Sequence, residues 1–311
     1  MRKPNKEELT IPQPLLIVAA AAEVGLLQTL AKMPLNPEEA AQKTNTDLRA
    51  AKVILNALVA LGYVREDGEK YALSGEAQEM FYSDKSPNFT GFSFMHAYQL
   101  TKSWIKLPEV IKSGKPVPRT PENIPHFMGA MEHYAKTVAP KIVPLVIEGI
   151  KQPFKVLDVG GGPGIYAREF AKHGATVTIL DEKPIVEMMS PKVDMPNINY
   201  VEGDFNVKLP DGEYDVAFLG NITHILDAEG NIALFKKVAN VLSKGGRIAI
   251  LDIVRDMSPR GALFAVNMLV NTEKGGTWTK AEYLEWLKES GFINTRVIDL
   301  KDRQIILGEK S

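Results

Sequence analysis

His224 is the residue of this chain best placed to do chemistry, because it stands directly after an apolar, strand-like run in the segment FLGNITHILDAEG. Imidazole accepts protons near neutral pH, so a histidine at the end of a core strand is a candidate general base. The structural alternative is a polar residue that ends the strand and caps the next helix. The chain has five histidines and no cysteine, and the other four histidines lack metal-ligand spacing with acids. The sequence therefore predicts no metal site.

A glycine-rich turn in KVLDVGGGPG lies between an apolar run and a helical stretch, and it includes Gly160 and Gly162. Glycine lets backbone amides approach a ligand closely, and the N-terminus of the following helix carries partial positive charge. The pattern indicates a cofactor site. A tight turn without a ligand and a nicotinamide dinucleotide site fit the same residues.

Acidic side chains accompany this turn at successive strand ends. Asp158 lies inside the first strand. Asp181 ends the second strand, where a carboxylate can accept hydrogen bonds from ribose hydroxyls. Asp204 and Phe205 follow the third strand and suit an adenine amine and ring stacking, and Asn221 after the fourth strand is assigned to the same site. Acids without an arginine for a pyrophosphate favour S-adenosylmethionine, which carries a sulfonium and no phosphate. An NAD-dependent oxidoreductase is the first alternative.

The elements that must position these residues follow from hydrophobic periodicity. From residue 155 onward the strand-like runs KVLDV, TVTILD, YDVAFLG and GRIAILDIV alternate with helical stretches. This alternation predicts an α/β fold with a parallel, doubly wound, Rossmann-like sheet. At 311 residues the chain is long enough for a second domain.

The first 82 residues show a different pattern, in which helical apolar spacing precedes a short hairpin. One amphipathic helix is expected from residue 13 to Leu30, and Asn36-Pro37 predicts the capped start of another. The segment GYVREDGEKYAL alternates around Asp67-Gly68, which is typical of a β-hairpin. Three helices and a hairpin predict a winged helix.

Charge and hydropathy bound the partners. The chain has a net charge of −1, and residues 1–80 contain nine Lys and Arg against eleven Asp and Glu. DNA binding needs several phosphate-neutralising cations, and this region has a slight excess of acids, so an interaction or dimerisation role is favoured. A winged-helix, ligand-sensing DNA regulator is the second alternative. No nucleic acid or membrane partner is expected. Glu7 and Glu8 precede the apolar run at 15–22, unlike a signal peptide, so a cytoplasmic location is expected.

Residues 12–311 resemble the S-adenosylmethionine-dependent small-molecule O-methyltransferases of the caffeic acid, hydroxyindole and bacterial polyketide-tailoring type. The segments that carry the resemblance occur in the family's order: AEVGLLQTLA, HFMGAMEHY, LDVGGGPG, GDFN, THILDAEG and MLVNTEKGGTWTKAEYLEWLKESGF. The resemblance implies a homodimer with a winged-helix-like dimerisation domain at 1–100. It further implies a helical region at 101–150 that lines the acceptor pocket, and an S-adenosylmethionine-binding methyltransferase domain at 151–311.

The resemblance also distributes the cofactor over residues already singled out. Gly160 and Gly162 would border its methionine and ribose parts. Asp181 would hold the ribose, and Asp204 with Phe205 the adenine.

For catalysis, the resemblance implies that His224 takes the proton from the acceptor hydroxyl. The family places a carboxylate 28 positions further on, at the end of the next strand, and that position is Asp252. This sequence departs from the family where a second acid is usual, because Trp278 aligns there in KGGTW.

The acceptor-lining positions of the family fall on one aromatic, two thioether and two amide side chains: Phe127, Met131, Asn267, Met268 and Asn271. Their character fits a flat aromatic molecule with one or two polar groups. The resemblance thus implies metal-independent methyl transfer from S-adenosylmethionine to a hydroxyl of a small aromatic acceptor.

Overall fold

A computed structural model of the chain describes residues 10–86, 88–118 and 124–311, so that Glu7, Glu8 and part of the proline-rich loop SGKPVPRTPENIP lie outside the described residues. These form two compact units. The first runs up to Lys102 and includes Pro125–Ala130, and the second comprises Ser103–Ile124 and Met131–Ser311. No helix in the described part of the chain combines the length and the hydropathy of a membrane span.

Helices and one hairpin build the first unit. In chain order they are α1 (Gln13–Glu23), α2 (Leu26–Leu30), α3 (Pro37–Thr44), α4 (Leu48–Ala60), β1 (Val64–Asp67), β2 (Lys70–Leu73), α5 (Gly75–Tyr82) and α6 (Gly91–Trp104). Asn36 caps α3 as predicted, since its side chain accepts from the Glu39 amide at 2.8 Å while Glu39 accepts from the Asn36 amide at 3.0 Å. Strands β1 and β2 pair antiparallel from Val64↔Leu73 to Asp67↔Lys70, which confirms the predicted hairpin.

The single helix expected from residue 13 to Leu30 is wrong. Gly25 has a φ of +83°, in the left-handed region, and it separates α1 from α2. The apolar spacing continues across this break because both helices bury side chains in one core, among them Val18 in α1 and Leu27 in α2. From residue 10 onward, the unit therefore has four helices before its hairpin.

The second unit is an α/β assembly. Its elements are α7 (Leu107–Ser113), α8 (Ile124–Val146), β3 (Phe154–Val159), α9 (Ile165–Lys172), β4 (Ala175–Asp181), α10 (Lys183–Met189), β5 (Ile198–Glu202), β6 (Tyr214–Gly220), α11 (Ala228–Val241), β7 (Leu242–Asp252), α12 (Gly261–Asn271), α13 (Lys280–Glu289), β8 (Phe292–Asp299) and β9 (Gln304–Lys310). Residues 131–146 of α8 belong to this unit.

One sheet of seven strands, in the order β5-β4-β3-β6-β7-β9-β8, forms its centre. The four strands that periodicity predicted are mutually parallel, as is β5. Alternate strand residues enter two separate cores, so that Val156 packs with α8 and α9 on one face, and Leu157 packs with α11 and α13 on the other. The sheet is doubly wound, but it is not wholly parallel, because β9 pairs antiparallel with both β7 and β8.

Candidate active site

The glycine-rich turn between β3 and α9 excludes side chains. Gly160 and Gly162 have φ values of +64° and +50°, in the region that favours glycine. A Cβ on Gly160 would lie 2.3 Å from Cδ1 of Ile222 and 3.8 Å from Cε1 of Phe205. The turn thus brings Phe205, the predicted adenine contact, beside the end of the first parallel strand.

Asp158 is a buried carboxylate with an unused oxygen. The residue is 1% exposed, and its Oδ2 has no hydrogen-bond partner among the described residues. Burial, and then the charge of Asp181, raise the pKa of Asp158 to about 8. With this pKa the group is mostly protonated at neutral pH in the ligand-free protein, and a cationic ligand beside it would favour its ionised form.

Asp181 joins the end of β4 to the glycine turn. Its Oδ2 accepts from the Gly162 amide and its Oδ1 from the Glu182 amide, both at 2.8 Å. Burial raises the pKa of Asp181, although both backbone hydrogen bonds oppose that rise. Tyr200 on β5 donates to the Gly162 carbonyl at 2.8 Å, a contact that sequence reasoning missed.

The remaining predicted cofactor residues occupy neighbouring strand ends. Asp204 follows β5, and its Oδ1 accepts from the Asn206 amide at 2.7 Å. Asn221 follows β6 with a φ of +61°, and its amide donates to the Leu251 carbonyl at 2.9 Å. Its side-chain oxygen accepts from the Arg303 guanidinium. Arg303 is a second residue that sequence reasoning did not identify.

The imidazole of His224 is paired with a fully buried carboxylate. His224 Nδ1 lies 2.8 Å from Oδ1 of Asp252, and the residues are 8% and 0% exposed. Because a carboxylate oxygen only accepts, Nδ1 carries the proton and Nε2 keeps its lone pair. Within the described residues Nε2 has no hydrogen-bond partner. This tautomer and orientation are what a general base requires.

Asp252 is held by four hydrogen bonds. Besides His224 Nδ1, it accepts from the amides of His224 at 3.1 Å and Ile253 at 2.8 Å, and from Thr223 Oγ1 at 2.6 Å. Burial alone would raise the pKa of Asp252, but the nearby imidazole of His224 and these donors lower it below its ordinary value. Asp252 is therefore a buried anion that accepts the hydrogen bond of His224 Nδ1.

A hydroxyl chain behind Asp252 was not visible in the sequence. Tyr283 on α13 is 0% exposed, and its hydroxyl lies 2.7 Å from Thr223 Oγ1. The single proton of Thr223 Oγ1 is given to Asp252, so the Tyr283 hydroxyl donates to Thr223. Burial, and then the charge of Asp252, raise the pKa of Tyr283 well above its ordinary value, which keeps this donor protonated.

Trp278, at the position where the family has a second acid, supports the backbone of the base. Its indole Nε1 donates to the Thr223 carbonyl at 3.1 Å, and the Gly276 amide donates to the His224 carbonyl at 2.9 Å. Asp227 is the N-cap of α11, accepting from the Gly230 amide at 2.9 Å. It serves the helix rather than the imidazole.

Three of the predicted acceptor residues lie on α12, next to the base. The Phe264 ring meets His224 edge-on, with centroids 5.0 Å apart. Asn267, one turn later, accepts from Trp104 Nε1 at 3.0 Å and from Asn271 Nδ2 at 3.0 Å. Met268 is buried, with 5% exposure.

The other two predicted acceptor residues lie on α8. Met131, in the second unit, is partly buried. Phe127 belongs to the first unit, where its exposed ring lies 5.4 Å from that of His96.

We expect Asp158→Asn to stabilise the ligand-free protein at pH 8 more than at pH 5. A carboxyl whose folded pKa is raised contributes most below its unfolded pKa, and this contribution falls as the pH rises towards about 8. The amide has no such dependence. The advantage in Tm at pH 8 should be roughly 3 °C or more by scanning fluorimetry. The exposed Asp211→Asn is the control, and an equal Tm difference at both pH values would contradict the assignment.

By fold, the chain belongs to the Rossmann-like α/β class. The solved structure of human N-acetylserotonin methyltransferase, in complex with S-adenosylmethionine, matches it with a TM-score of 0.76. The match covers 96% of this chain and 94% of that one at 21% identity. At this identity the likeness shows the shared fold.

Sequence relatives then identify the family. The 3-hydroxy-5-methyl-1-naphthoate 3-O-methyltransferase of Streptomyces sahachiroi is 25% identical, over 90% of this chain and 86% of its own length. The tetracenomycin polyketide synthesis 8-O-methyl transferase TcmO of Streptomyces glaucescens is 27% identical, over 89% and 87%. The O-methyltransferase domain model matches residues 107–293. The chain belongs to this O-methyltransferase family, which confirms the resemblance noted from the sequence.

Proposed function

We propose that the protein transfers a methyl group to a hydroxyl of a small aromatic molecule without a metal, with His224 as general base and Asp252 as its positioning residue. The observation that carries this proposal is the 2.8 Å hydrogen bond between His224 Nδ1 and Asp252 Oδ1. This hydrogen bond leaves Nε2 as the free basic atom of the ring. His224 follows β6, and the glycine turn follows β3 of the same sheet.

The cofactor is S-adenosylmethionine, and the residues present fit it. Gly160 and Gly162 have positive φ values, so the turn offers a ligand a backbone without side chains, and the unpaired Oδ2 of Asp158 suits a cationic group. Each oxygen of Asp181 accepts one backbone hydrogen bond and so retains a lone pair for a ribose hydroxyl. Asp204 and Phe205 would take the adenine, and Asn221 completes the set. The bound cofactor supplies a methyl group that its sulfonium already activates.

The protein's own contribution is to align the acceptor oxygen and remove its proton. A phenol has a pKa of about 10 and a free imidazole about 6.5, a gap of roughly 3.5 units or about 4.8 kcal/mol. A buried carboxylate on Nδ1 stabilises the imidazolium that forms when the proton is taken. Asp252 is anionic and fixed by four donors, so it can do this without reorganising.

The missing second acid has a structural replacement. In this chain Trp278 ties down the Thr223 carbonyl, and the Tyr283–Thr223 hydroxyl chain ends on Asp252. These contacts fix the base from its backbone side and its carboxylate side. We infer that one carboxylate is sufficient here.

An aromatic acceptor agrees with the side chains near the base and with the naphthoate that the Streptomyces sahachiroi relative is named for. Asn267 and Asn271 would meet polar groups of the acceptor, and Met131 and Met268 its apolar faces. The names of the two Streptomyces relatives support a small-molecule substrate.

We propose that the first unit is a winged-helix dimerisation module and that the protein is a homodimer. Its hairpin is extended by Leu35, which exchanges backbone hydrogen bonds of 3.0 and 2.8 Å with Tyr71. The domain boundaries at 100 and 150 and the cytoplasmic location stay predictions. Size-exclusion chromatography with light scattering tests the dimer.

The proposed activity is tested with S-adenosylmethionine and a panel of naphthols, hydroxynaphthoates and hydroxyanthraquinones, by following S-adenosylhomocysteine release. Turnover should occur with at least one hydroxylated compound and stop with its O-methylated counterpart. Products methylated only on nitrogen or carbon would overturn the hydroxyl specificity. Calorimetric binding of NADH without binding of S-adenosylhomocysteine would overturn the cofactor assignment.

A further inference from the structure

Arg303 is a cation without an acidic partner at the edge of the cofactor site. It directly precedes β9, whose Gln304 pairs with Asp252 at the carboxyl end of β7. Its side chain is partly buried, and its guanidinium carbon lies 4.7 Å from the centre of the Tyr134 ring on α8. Within the described residues no carboxylate lies within ion-pairing distance of it. Within the described residues its guanidinium donates one hydrogen bond, to Asn221, itself a candidate cofactor residue.

Two buried polar atoms without partners lie on the same face of the sheet. They are Oδ2 of Asp158, 1% exposed, and the hydroxyl of Tyr166 on α9, 7% exposed. Burial raises the pKa of Tyr166, and among the smaller effects Arg303 lowers it and Asp158 raises it. The Tyr166 hydroxyl thus lies within electrostatic reach of both Asp158 and Arg303. Buried polar groups that remain unpaired are uncommon and point to a ligand.

We propose that Arg303 binds the α-carboxylate of the methionyl group of the cofactor, opposite Asp158, which binds the α-ammonium. This inference rests on the proposed function, since it specifies how the same cofactor site distinguishes an amino-acid zwitterion from a simple amine. An α-amino acid presents one anion and one cation, and this site offers a guanidinium for the carboxylate and, for the ammonium, a carboxyl group that ionises when a cation lies beside it. The planar guanidinium also has further N–H donors beyond the one used by Asn221.

The alternative is that Arg303 only packs the loop before β9 against Tyr134. A packing residue would affect all ligands of the site alike. A carboxylate-binding residue affects only ligands that have the carboxylate. The two roles are therefore distinguished by comparing ligands with and without the carboxylate, and not by the variant alone.

The experiment measures calorimetric affinities of S-adenosylhomocysteine and of its decarboxylated analogue, which keeps the amine, for wild type and Arg303→Gln. We expect wild type to prefer S-adenosylhomocysteine by about 10- to 100-fold, because charge-assisted hydrogen bonds are the strong ones. Arg303→Gln should lose most of this preference, while its affinity for the decarboxylated analogue changes by less than about threefold. Arg303→Lys should recover part of it, since it keeps the charge but not the planar fork.

Arg296→Gln is the matched control, because this arginine is half exposed on β8 and ion-paired with Glu148 at 3.1 Å. It should leave both affinities unchanged. Equal weakening of both ligands by Arg303→Gln, or no effect on either, would overturn the proposal alone while S-adenosylhomocysteine binding by wild type upholds the proposed function. Failure of wild type to bind S-adenosylhomocysteine would overturn both.

Discussion

Replacing His224 with Gln should reduce kcat for methyl transfer by about 10²- to 10⁴-fold, the range that general-base catalysis provides. Glutamine keeps much of the volume but has no basic atom to receive the acceptor proton. The affinity for S-adenosylhomocysteine should remain within about threefold of wild type, because the residues that would hold the cofactor are Asp158, Asp181 and the glycine turn. The two measurements are initial rates at saturating acceptor and calorimetry.

His173→Gln is the control for this experiment. Its side chain is 37% exposed and lies 3.7 Å from Glu169, so the same chemical change is made far from the paired imidazole and Asp252. It should leave kcat unchanged. Turnover of His224→Gln at near the wild-type rate would show that the enzyme works by alignment alone. The acceptor would then lose its proton to solvent.

The site residues that could be predicted are those placed by local pattern. Continuous apolar runs identified β3, β4, β6 and β7, because strands buried on both faces need no polar alternation. The carboxyl ends of parallel strands meet at one edge of a sheet, so residues just after each run were expected to converge. The family spacing then paired His224 with Asp252, and these lie 2.8 Å apart.

The residues that sequence reasoning missed are joined over long separations. Thr223 and Tyr283 are 60 positions apart, and their hydroxyls meet only because α13 packs beneath the end of β6. Arg303 lies in the loop before β9 and Tyr134 lies on α8, so no short-range sequence pattern links them. A buried tyrosine within an apolar helix face looks like core, and its hydroxyl becomes informative only when its partner is known.

Strand β8 illustrates a different limit. Along Phe292–Asp299 only the first residue is buried, and the others are exposed or intermediate. Edge strands of this kind carry neither the apolar run of a central strand nor a regular alternation. Strand β9 is buried over its first five residues, but it pairs antiparallel on both sides. The alternation of helices and strands that predicted a parallel sheet did not predict the antiparallel pairing of β8 and β9.

Asp252→Asn should lower kcat by about 10²- to 10⁴-fold and also destabilise the fold by about 2 kcal/mol or more. Each carboxylate oxygen accepts one backbone amide, from Ile253 on Oδ1 and from His224 on Oδ2. In either orientation the asparagine NH2 would therefore face a backbone N–H that cannot become an acceptor. With the NH2 towards the ring, His224 Nδ1 would have to accept, which moves the proton to Nε2 and removes the base.

The pH dependence of stability separates this account from a simple loss of packing. The folded pKa of Asp252 is lowered, so its contribution is present above the unfolded pKa of about 3.9 and is lost as the pH falls through the folded value. The difference in unfolding free energy between wild type and Asp252→Asn should shrink when urea titrations are moved from pH 7 to below pH 4. Asp256→Asn is the control. It changes an exposed side chain two residues after the buried Ile253–Val254, and it should show neither effect. A kcat loss that appeared with wild-type stability at pH 7 would contradict the four-donor environment, because a neutral amide cannot satisfy it.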